Sequence, residues 1–386
     1  MSTAAESILN QLKDVGSITD TASRRKLIAD LHGLAYSLED VDDTIHRYGY
    51  LHLQTAAVKV GFDLGLFRYM SKRDRPATLQ EIEQNISAET PFLARYLSYV
   101  SAVGIIDETG KGEYRSNNVT KNLATKVAEA GISHCFTTIG PQFQALPSYM
   151  KATGYKNPTN ELQAVFQTAW KSPHHAFSWY SENPEALGYF NDYMAFRRQP
   201  ELSWLAVYPV KEETNGLNDP TRPIYVNVGG GVGHQCAQFK EMYPEIIGRV
   251  ILQDMPHTIE KALPIPGVEP MVHDFFQPQP IKGAKFYHSR GVLHNHPDHK
   301  VRQLLENTRS ALASDSVILL DEMVLPESGV NSYAAAMDLT MMAAFSAGER
   351  TEDQWCRLLD DVGMKLVKTY NYNPLSYESV MDVRIK

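Results

Sequence analysis

One stretch constrains this chain more than any other: Ile224-Tyr225-Val226-Asn227-Val228 followed by Gly229-Gly230-Gly231-Val232-Gly233. A short apolar run bounded by turn residues reads as a strand buried on both faces. The glycines make a tight turn, and the residues after them read as a helix reaching Met242. Further strands are expected at Val250 to Asp254, Glu269 to Asp274, Ala284 to Ser289 and Ser316 to Leu320. Helical segments fall between several of them, notably Lys300 to Leu312. Strands alternating with helices predict an α/β unit with a parallel sheet covered on both faces.

Glycines after such a strand let backbone approach a nucleoside-type ligand closely. Asp254 ends the second strand, 21 residues beyond Gly233. An acid at about that distance accepts hydrogen bonds from ribose hydroxyls. This logic fits NAD and S-adenosylmethionine (SAM) equally. Met255-Pro256 follows the acid in place of the arginine that marks a 2′-phosphate site, and no phosphate-binding GxxxxGK[ST] loop occurs.

Composition bounds the rest. The chain has 386 residues, 43% hydrophobic and 21% charged, a globular balance that excludes disorder as the main state. Lys+Arg is 37 against Asp+Glu 45, for a net charge of -8, which argues against binding to phosphate backbones and to anionic membrane surfaces. Cys135, Cys236 and Cys356 are far apart, so neither a disulfide framework nor a cysteine-based zinc finger is expected. Met1 to Asn10 is polar, and no window offers about 18 consecutive apolar residues. The expectation is a cytoplasmic protein.

Three regions follow: 1–120, 121–220 and 221–386. The first reads as helices, with a helical pattern at Leu27 to Leu38 and a mostly apolar segment at Tyr50 to Tyr69, expected to be buried in a core or a subunit interface. Thr78 and Glu81 spell a capping box, and Thr90-Pro91 starts another helix. Gly104 to Arg115 reads as strand, glycine turn, strand. Together these spell a winged helix. A DNA-binding regulator is the alternative class, but the helix from Thr90 to Val103 carries Arg95 as its single positive charge. In the second region, Trp170, Trp179, Trp204 and several prolines suggest short helices around an apolar pocket.

Leu293-His294-Asn295-His296-Pro297-Asp298-His299 resembles the HxHxDH ligand motif of metallo-β-lactamase-like hydrolases. A two-metal site of that kind needs histidines further on, and none follows His299. No metal is therefore expected. The sharper reading is a single catalytic histidine at the carboxyl end of a strand, where open α/β sheets place their sites.

Taken together, these residues resemble the plant and fungal small-molecule O-methyltransferases of the caffeate and isoflavone type, over nearly the whole chain. The resemblance implies a Rossmann-like SAM-binding domain at 221–386, preceded by a winged-helix dimerisation domain at 1–120 and a substrate-pocket region at 121–220. Val226 to Gly231 resembles the family's SAM loop. Gly229, Gly230, Gly231, Gly233, Asp254, Met255, Asp274, Phe275 and Arg290 fall on its cofactor site. Phe190-Asn191-Asp192-Tyr193-Met194 resembles its FNxxM segment. His294 falls on the catalytic base, with Glu322 and Glu349 on the two acids that orient it.

A histidine with a pKa near 6.5 suits removal of a hydroxyl proton at neutral pH. The substrate is expected to be an apolar, ring-containing secondary metabolite, met by His134, Phe136, Trp170, Met194, Arg197, Arg198, Met341 and Phe345. Asn227 stands where the family usually has Asp, Asn295 where an acid commonly follows the histidine, and His296 where an aromatic is usual. The chain also resembles a fungal branch of leporin-type pericyclases. These keep SAM as a positive charge, and the likeness implies His134, Arg197 or Arg198, and Arg290 as hydrogen-bond donors. A homodimer is implied in either case.

Overall fold

The computed structural model describes residues 6–8, 10–12, 20–196 and 203–386. The chain forms two compact units, Met1–Ile132 and Ser133–Lys386.

The first unit opens with α1 (Thr21–Leu38), capped by Asp20 on the amides of Ala22 and Ser23. α2 (Val41–Gly49) begins with a capping box between Asp40 and Asp43. Neither helix buries a residue within the chain. α3 (Leu51–Asp63) and α4 (Leu66–Ser71) come from the apolar Tyr50 to Tyr69 segment. The segment is broken rather than continuous, because Gly65 takes φ 67° between them. A left-handed residue there ends one helix and starts another. The segment is also only half buried: Ala57, Phe62, Leu66 and Phe67 enter the core, while Tyr50, Leu51 and Leu53 are exposed.

β1 (Ala77–Thr78) leads into α5 (Leu79–Glu83) through the expected Thr78–Glu81 capping box. α6 (Thr90–Ala102) has its proline in the first turn and buries Leu93, Tyr96, Leu97 and Val100. β2 (Asp107–Gly110) and β3 (Glu113–Arg115) form an antiparallel wing, in the order β1-β3-β2. α7 (Asn118–Leu123) and α8 (Lys126–His134) follow.

The second unit continues from α8 through one π-helical turn, Cys135–Ile139, into α9 (Gly140–Ala152). Then come α10 (Val165–Trp170), α11 (Ala176–Glu182) and α12 (Pro184–Phe196). Phe166, Trp179 and Tyr180 of these elements form one buried cluster with Met341 and Phe345 from further along the chain, with Trp170 and Phe190 packed on it.

The sheet follows, with β4 (Pro223–Val228), α13 (His234–Met242), β5 (Arg249–Asp254), β6 (Val268–Val272) and β7 (Phe286–Arg290). After these come α14 (Asp298–Arg309), β8 (Val317–Leu325), α15 (Ser332–Phe345), β9 (Arg350–Thr351) and α16 (Glu352–Asp361). β10 (Met364–Asn373) and β11 (Glu378–Ile385) close the chain. The strand order is β10-β11-β8-β7-β4-β5-β6, with β9 beside β8. β4 to β8 pair in parallel, as expected from the βα alternation. The exception is the last pair: β10 and β11 are antiparallel, so the sheet is mixed. Strand order reverses beside β4, and an open sheet places its ligand crevice at such a switch, outside the carboxyl ends of the strands.

Candidate active site

The glycine loop leaves the carboxyl end of β4 with Gly229 at φ 65°, Gly231 at φ 62° and Gly233 at φ 102°. Side chains rarely adopt these angles. Gly230 is required for a different reason: a Cβ there would lie 2.4 Å from Asn227 Nδ2 and 2.6 Å from Leu252 Cδ1. The loop is pinned to β5 at two points. Gly230 N donates to Gln253 O at 3.0 Å, and Gly231 N donates to Asp254 Oδ2 at 2.8 Å. The other oxygen of Asp254 accepts from Met255 N. Gln253 is itself fixed by a reciprocal amide pair with Gln279.

Phe275 lies against the loop, its Cε1 3.5 Å from where a Cβ on Gly229 would stand. Asp274, one residue earlier, accepts from Phe276 N. Around Gly231 the space is open, with nothing within 4 Å of a built Cβ. Met255 is exposed beside Asp254.

The acid–base cluster sits after β7. Leu293–Asn295 is one 3-10 turn, and it carries His294. His294 Nδ1 lies 2.7 Å from Glu349 Oε1. Glu322, from β8, turns its Oε1 to the amides of Val292 and Leu293, at 3.0 and 2.7 Å. Burial raises the Glu322 carboxyl from 4.5 to about 7, with the Glu349 charge adding to the rise and His294 opposing it. Donor atoms of His294, Glu322 and Glu349 all lie within 4.8 Å of one another, a span that would hold a metal ion. Both acids, however, already spend one oxygen on the turn that carries His294.

Sequence reading missed the groups that hold this turn. Arg350 is buried next to Glu349, and its guanidinium donates to His296 O (2.9 Å), Leu293 O (3.3 Å) and Asp298 Oδ1 (2.8 Å). Asp338 accepts from Glu349 N at 2.9 Å. The only signal in the sequence was adjacency, in Gly348-Glu349-Arg350.

Arg290 lies at the end of β7, its guanidinium 3.4 Å from Asp321 Oδ2 and 3.7 Å from Glu378 Oε1. Asp321 also accepts from Tyr372 OH at 2.7 Å. His296 is buried edge-on to Phe275 and Phe276 and is pushed down to about 3, first by burial and then by neighbouring positive groups.

His134 is buried against Tyr180, Phe190 and Tyr193, and burial lowers it to about 4. Trp170 packs 4.5 Å from Trp179, and its Nε1 donates to Thr138 O. Met341 and Phe345 are buried in the same cluster as Trp179. Met194 is on α12, one residue after Tyr193. Phe136 is exposed on the π-helical turn. Arg197 and Arg198 lie outside the described residues.

The glycine loop after β4 and the carboxylate-held histidine after β7 thus follow the carboxyl ends of two neighbouring parallel strands, where open α/β enzymes place their sites. The profile of the O-methyltransferase domain matches residues 163–365. O-methyltransferase ucdC of Aspergillus ustus is 36% identical over 361 residues, covering 94% of each chain. Among solved structures, one described as a pericyclic reaction enzyme superposes with a TM-score of 0.90 at 31% identity, covering 100% of both chains. LepI in complex with SAM has the same TM-score and identity over 99% of both. The chain belongs to the O-methyltransferase family.

Proposed function

We propose that this chain is a SAM-dependent O-methyltransferase acting on a hydroxyl of an apolar, ring-containing secondary metabolite. The observation that carries the reading is the 2.7 Å contact between His294 Nδ1 and Glu349 Oε1, at the strand edge that also bears the glycine loop. The loop suits SAM. It is open at Gly231, its curvature is fixed by three left-handed glycines, and Asp254 is held by one amide per oxygen with lone pairs left for a ribose diol.

Gly229, Gly231, Asp254, Asp274, Phe275 and Arg290 are the residues that would hold SAM, whose bound form supplies an electrophilic sulfonium methyl. Methyl transfer is an in-line displacement, so the protein's work is positioning and proton removal. His294 takes the substrate hydroxyl proton at Nε2, because Nδ1 is turned to Glu349. Glu349 fixes the ring and offsets the imidazolium charge, the role an acid plays beside any base histidine. Glu322 adds a second carboxyl beside the ring. Arg350 and Asp338 hold the segments that carry His294 and Glu349.

A second reading, cyclisation without methyl transfer, is favoured by one observation: neutral His134 faces the aromatic layer with Nδ1 unpartnered. There SAM would act as a fixed charge, and His134 with Arg290 would donate hydrogen bonds to the substrate. Incubation with SAM and extracts of the biosynthetic background separates the two. A product gaining a methyl mass with one S-adenosylhomocysteine supports methyl transfer; a changed product with none overturns it.

The same proposal includes a homodimer through the first unit. α1 and α2 bury nothing within the chain, and Leu34, Leu38, Val41 and Ile45 are exposed on them. A second copy would cover such apolar surface. Light scattering that gives a stable monomer mass overturns this. Among the described residues, no helix is long and apolar enough to cross a membrane.

A further inference from the structure

A chain of polar side chains runs through an apolar layer on one face of the sheet. His288 and Arg290 are two residues apart on β7 and so share a face, and the parallel register sets Arg290 beside Asp321 of β8. Their strand neighbours Phe286, Leu319 and Val380 belong to one buried apolar cluster, and Trp204 stacks on the His288 ring at 4.8 Å. His288 is 0% exposed and Asp321 1%. Tyr225 OH lies 2.8 Å from His288 Nδ1, and His288 Nε2 lies 3.5 Å from Asp321 Oδ2. A carboxylate only accepts, so the His288 proton sits on Nε2 and Tyr225 OH donates to Nδ1. Burial lowers the pKa of His288, which keeps the ring neutral.

The charges in this chain do not cancel. Arg290 Nε is 3.4 Å from Asp321 Oδ2, and its Nη2 is 3.7 Å from Glu378 Oε1. Asp321 Oδ1 accepts from Tyr372 OH, and Glu378 Oε2 accepts from Asn373 Nδ2 and Ser376 Oγ. Asp321 Oδ2 accepts no hydrogen bond: Arg290 and His288 are near it without pairing with it. Two carboxylates therefore face one guanidinium, which leaves the cluster with a surplus of negative charge. A buried carboxylate of this kind is costly unless further positive charge lies within reach.

The cluster ends where such a charge would arrive. Arg290 closes β7 and is part exposed, and the pairing of Asn227 with His288 brings it level with the start of the glycine loop at Gly229. Arg290 alone would repel a sulfonium there.

We infer that Asp321, with Glu378, supplies the counter-charge for the cofactor's sulfonium: the two acids over-neutralise Arg290, so the crevice favours SAM over the neutral sulfide S-adenosylhomocysteine. Asp321 acts through its field, without touching the cofactor. The inference rests on the cofactor placement proposed above and adds a selectivity to it. In methyl transfer, loss of the charge on sulfur weakens the spent cofactor's hold and eases its release. In cyclisation without transfer, the same field retains SAM as a fixed charge.

The test is calorimetry on the full chain with SAM and S-adenosylhomocysteine separately, read as the ratio of the two affinities. Asp321→Asn keeps an acceptor for Tyr372 OH and removes the charge; it is expected to lower the ratio of SAM to S-adenosylhomocysteine affinity about 5–30-fold. Glu378→Gln is nearer the surface and should lower it about 3–5-fold, which keeps the test open if the buried variant fails to fold. Arg290→Gln should move the ratio the other way. A residue that merely holds the strand end would weaken both cofactors equally, and that result for Asp321→Asn overturns the inference. So does a ratio within about 2-fold of wild type in Glu378→Gln and in any folded Asp321→Asn. Wild-type protein that binds neither cofactor overturns the placement beneath the inference, whereas binding of both with unchanged ratios leaves the placement standing and removes the counter-charge.

Discussion

Glu322→Gln should change how stability depends on pH, by an amount the site itself sets. In the folded chain burial holds the Glu322 carboxyl at about 7, against 4.5 for an ordinary glutamate. Below 4.5 the folded and unfolded chains both carry the proton. Between 4.5 and about 7 only the folded chain keeps it, so it binds more protons and stability falls as pH rises. Above about 7 both forms are ionised and the loss is complete. At about 1.4 kcal/mol per pH unit, the interval costs roughly 3 kcal/mol.

Glutamine keeps an oxygen for the Val292 and Leu293 amides but cannot ionise. Urea unfolding should be followed by tryptophan fluorescence, since all four tryptophans lie in the unit that contains Glu322. Relative to wild type, the variant should gain about 3 kcal/mol between pH 4.5 and pH 8, whatever its stability at either end. A difference that stays constant within about 0.5 kcal/mol refutes the reasoning, because Glu322 then titrates like a solvated acid. The same proton bears on the proposed chemistry. Ionised Glu322 adds negative charge beside His294, so turnover should climb through the range in which stability falls.

Two further outcomes follow from the site. His294→Ala should lower the methyl-transfer rate about 10²–10⁴-fold and leave the dissociation constant for SAM unchanged by calorimetry; turnover like wild type removes the base assignment. Asp254→Ala should weaken SAM binding about 10–100-fold by loss of a charge-assisted contact, and it also frees the Gly231 amide. Unchanged binding would mean that the acid only ties the loop.

Much of the glycine-loop side was legible because it is local. Strand, glycine turn and helix are contiguous, and the spacing to Asp254 reflects one βα unit, so β4 and β5 fall at the expected residues. The capping box at Thr78 was equally local. What escaped were relations between distant residues. Nothing in the sequence ties Arg350 to the carbonyls of Leu293 and His296, or Asp338 to the Glu349 amide, because these pairings exist only after β8 and α15 have packed. The closing antiparallel pair was missed for another reason: the alternation of β10 is broken at Leu366-Val367 and Lys368-Thr369, where its register slips, and the buried run of β11 includes polar Ser379 and Asp382. The π-helical turn escaped as well, since a single inserted residue leaves no periodic signal.

The histidines show how environment separates residues that the sequence lists together. His294 and His296 are two positions apart in one motif. His294 meets a carboxylate, while the His296 ring is turned between Phe275 and Phe276, its backbone N–H donating to Leu293 O and its carbonyl accepting from Arg350. His296 is held near 3, against 6.5 for a free imidazole, and its sign is opposite to that of Glu322. As pH falls below 6.5 the unfolded chain takes a proton that the folded chain refuses, so stability falls toward acid. Between pH 6.5 and 4.5 this costs about 3 kcal/mol at about 1.4 kcal/mol per unit. His296→Phe keeps a ring between the two phenylalanines and leaves the carbonyl to Arg350. Relative to wild type it should gain about 3 kcal/mol on going from pH 6.5 to 4.5, measured by urea unfolding, while His134 and Glu322 contribute equally to both proteins and cancel from the difference. Turnover should stay within a few-fold of wild type. A difference that stays constant over that range shows that His296 takes its proton as readily in the folded chain, and a collapse of turnover gives His296 a part in the chemistry that its apolar surroundings argue against.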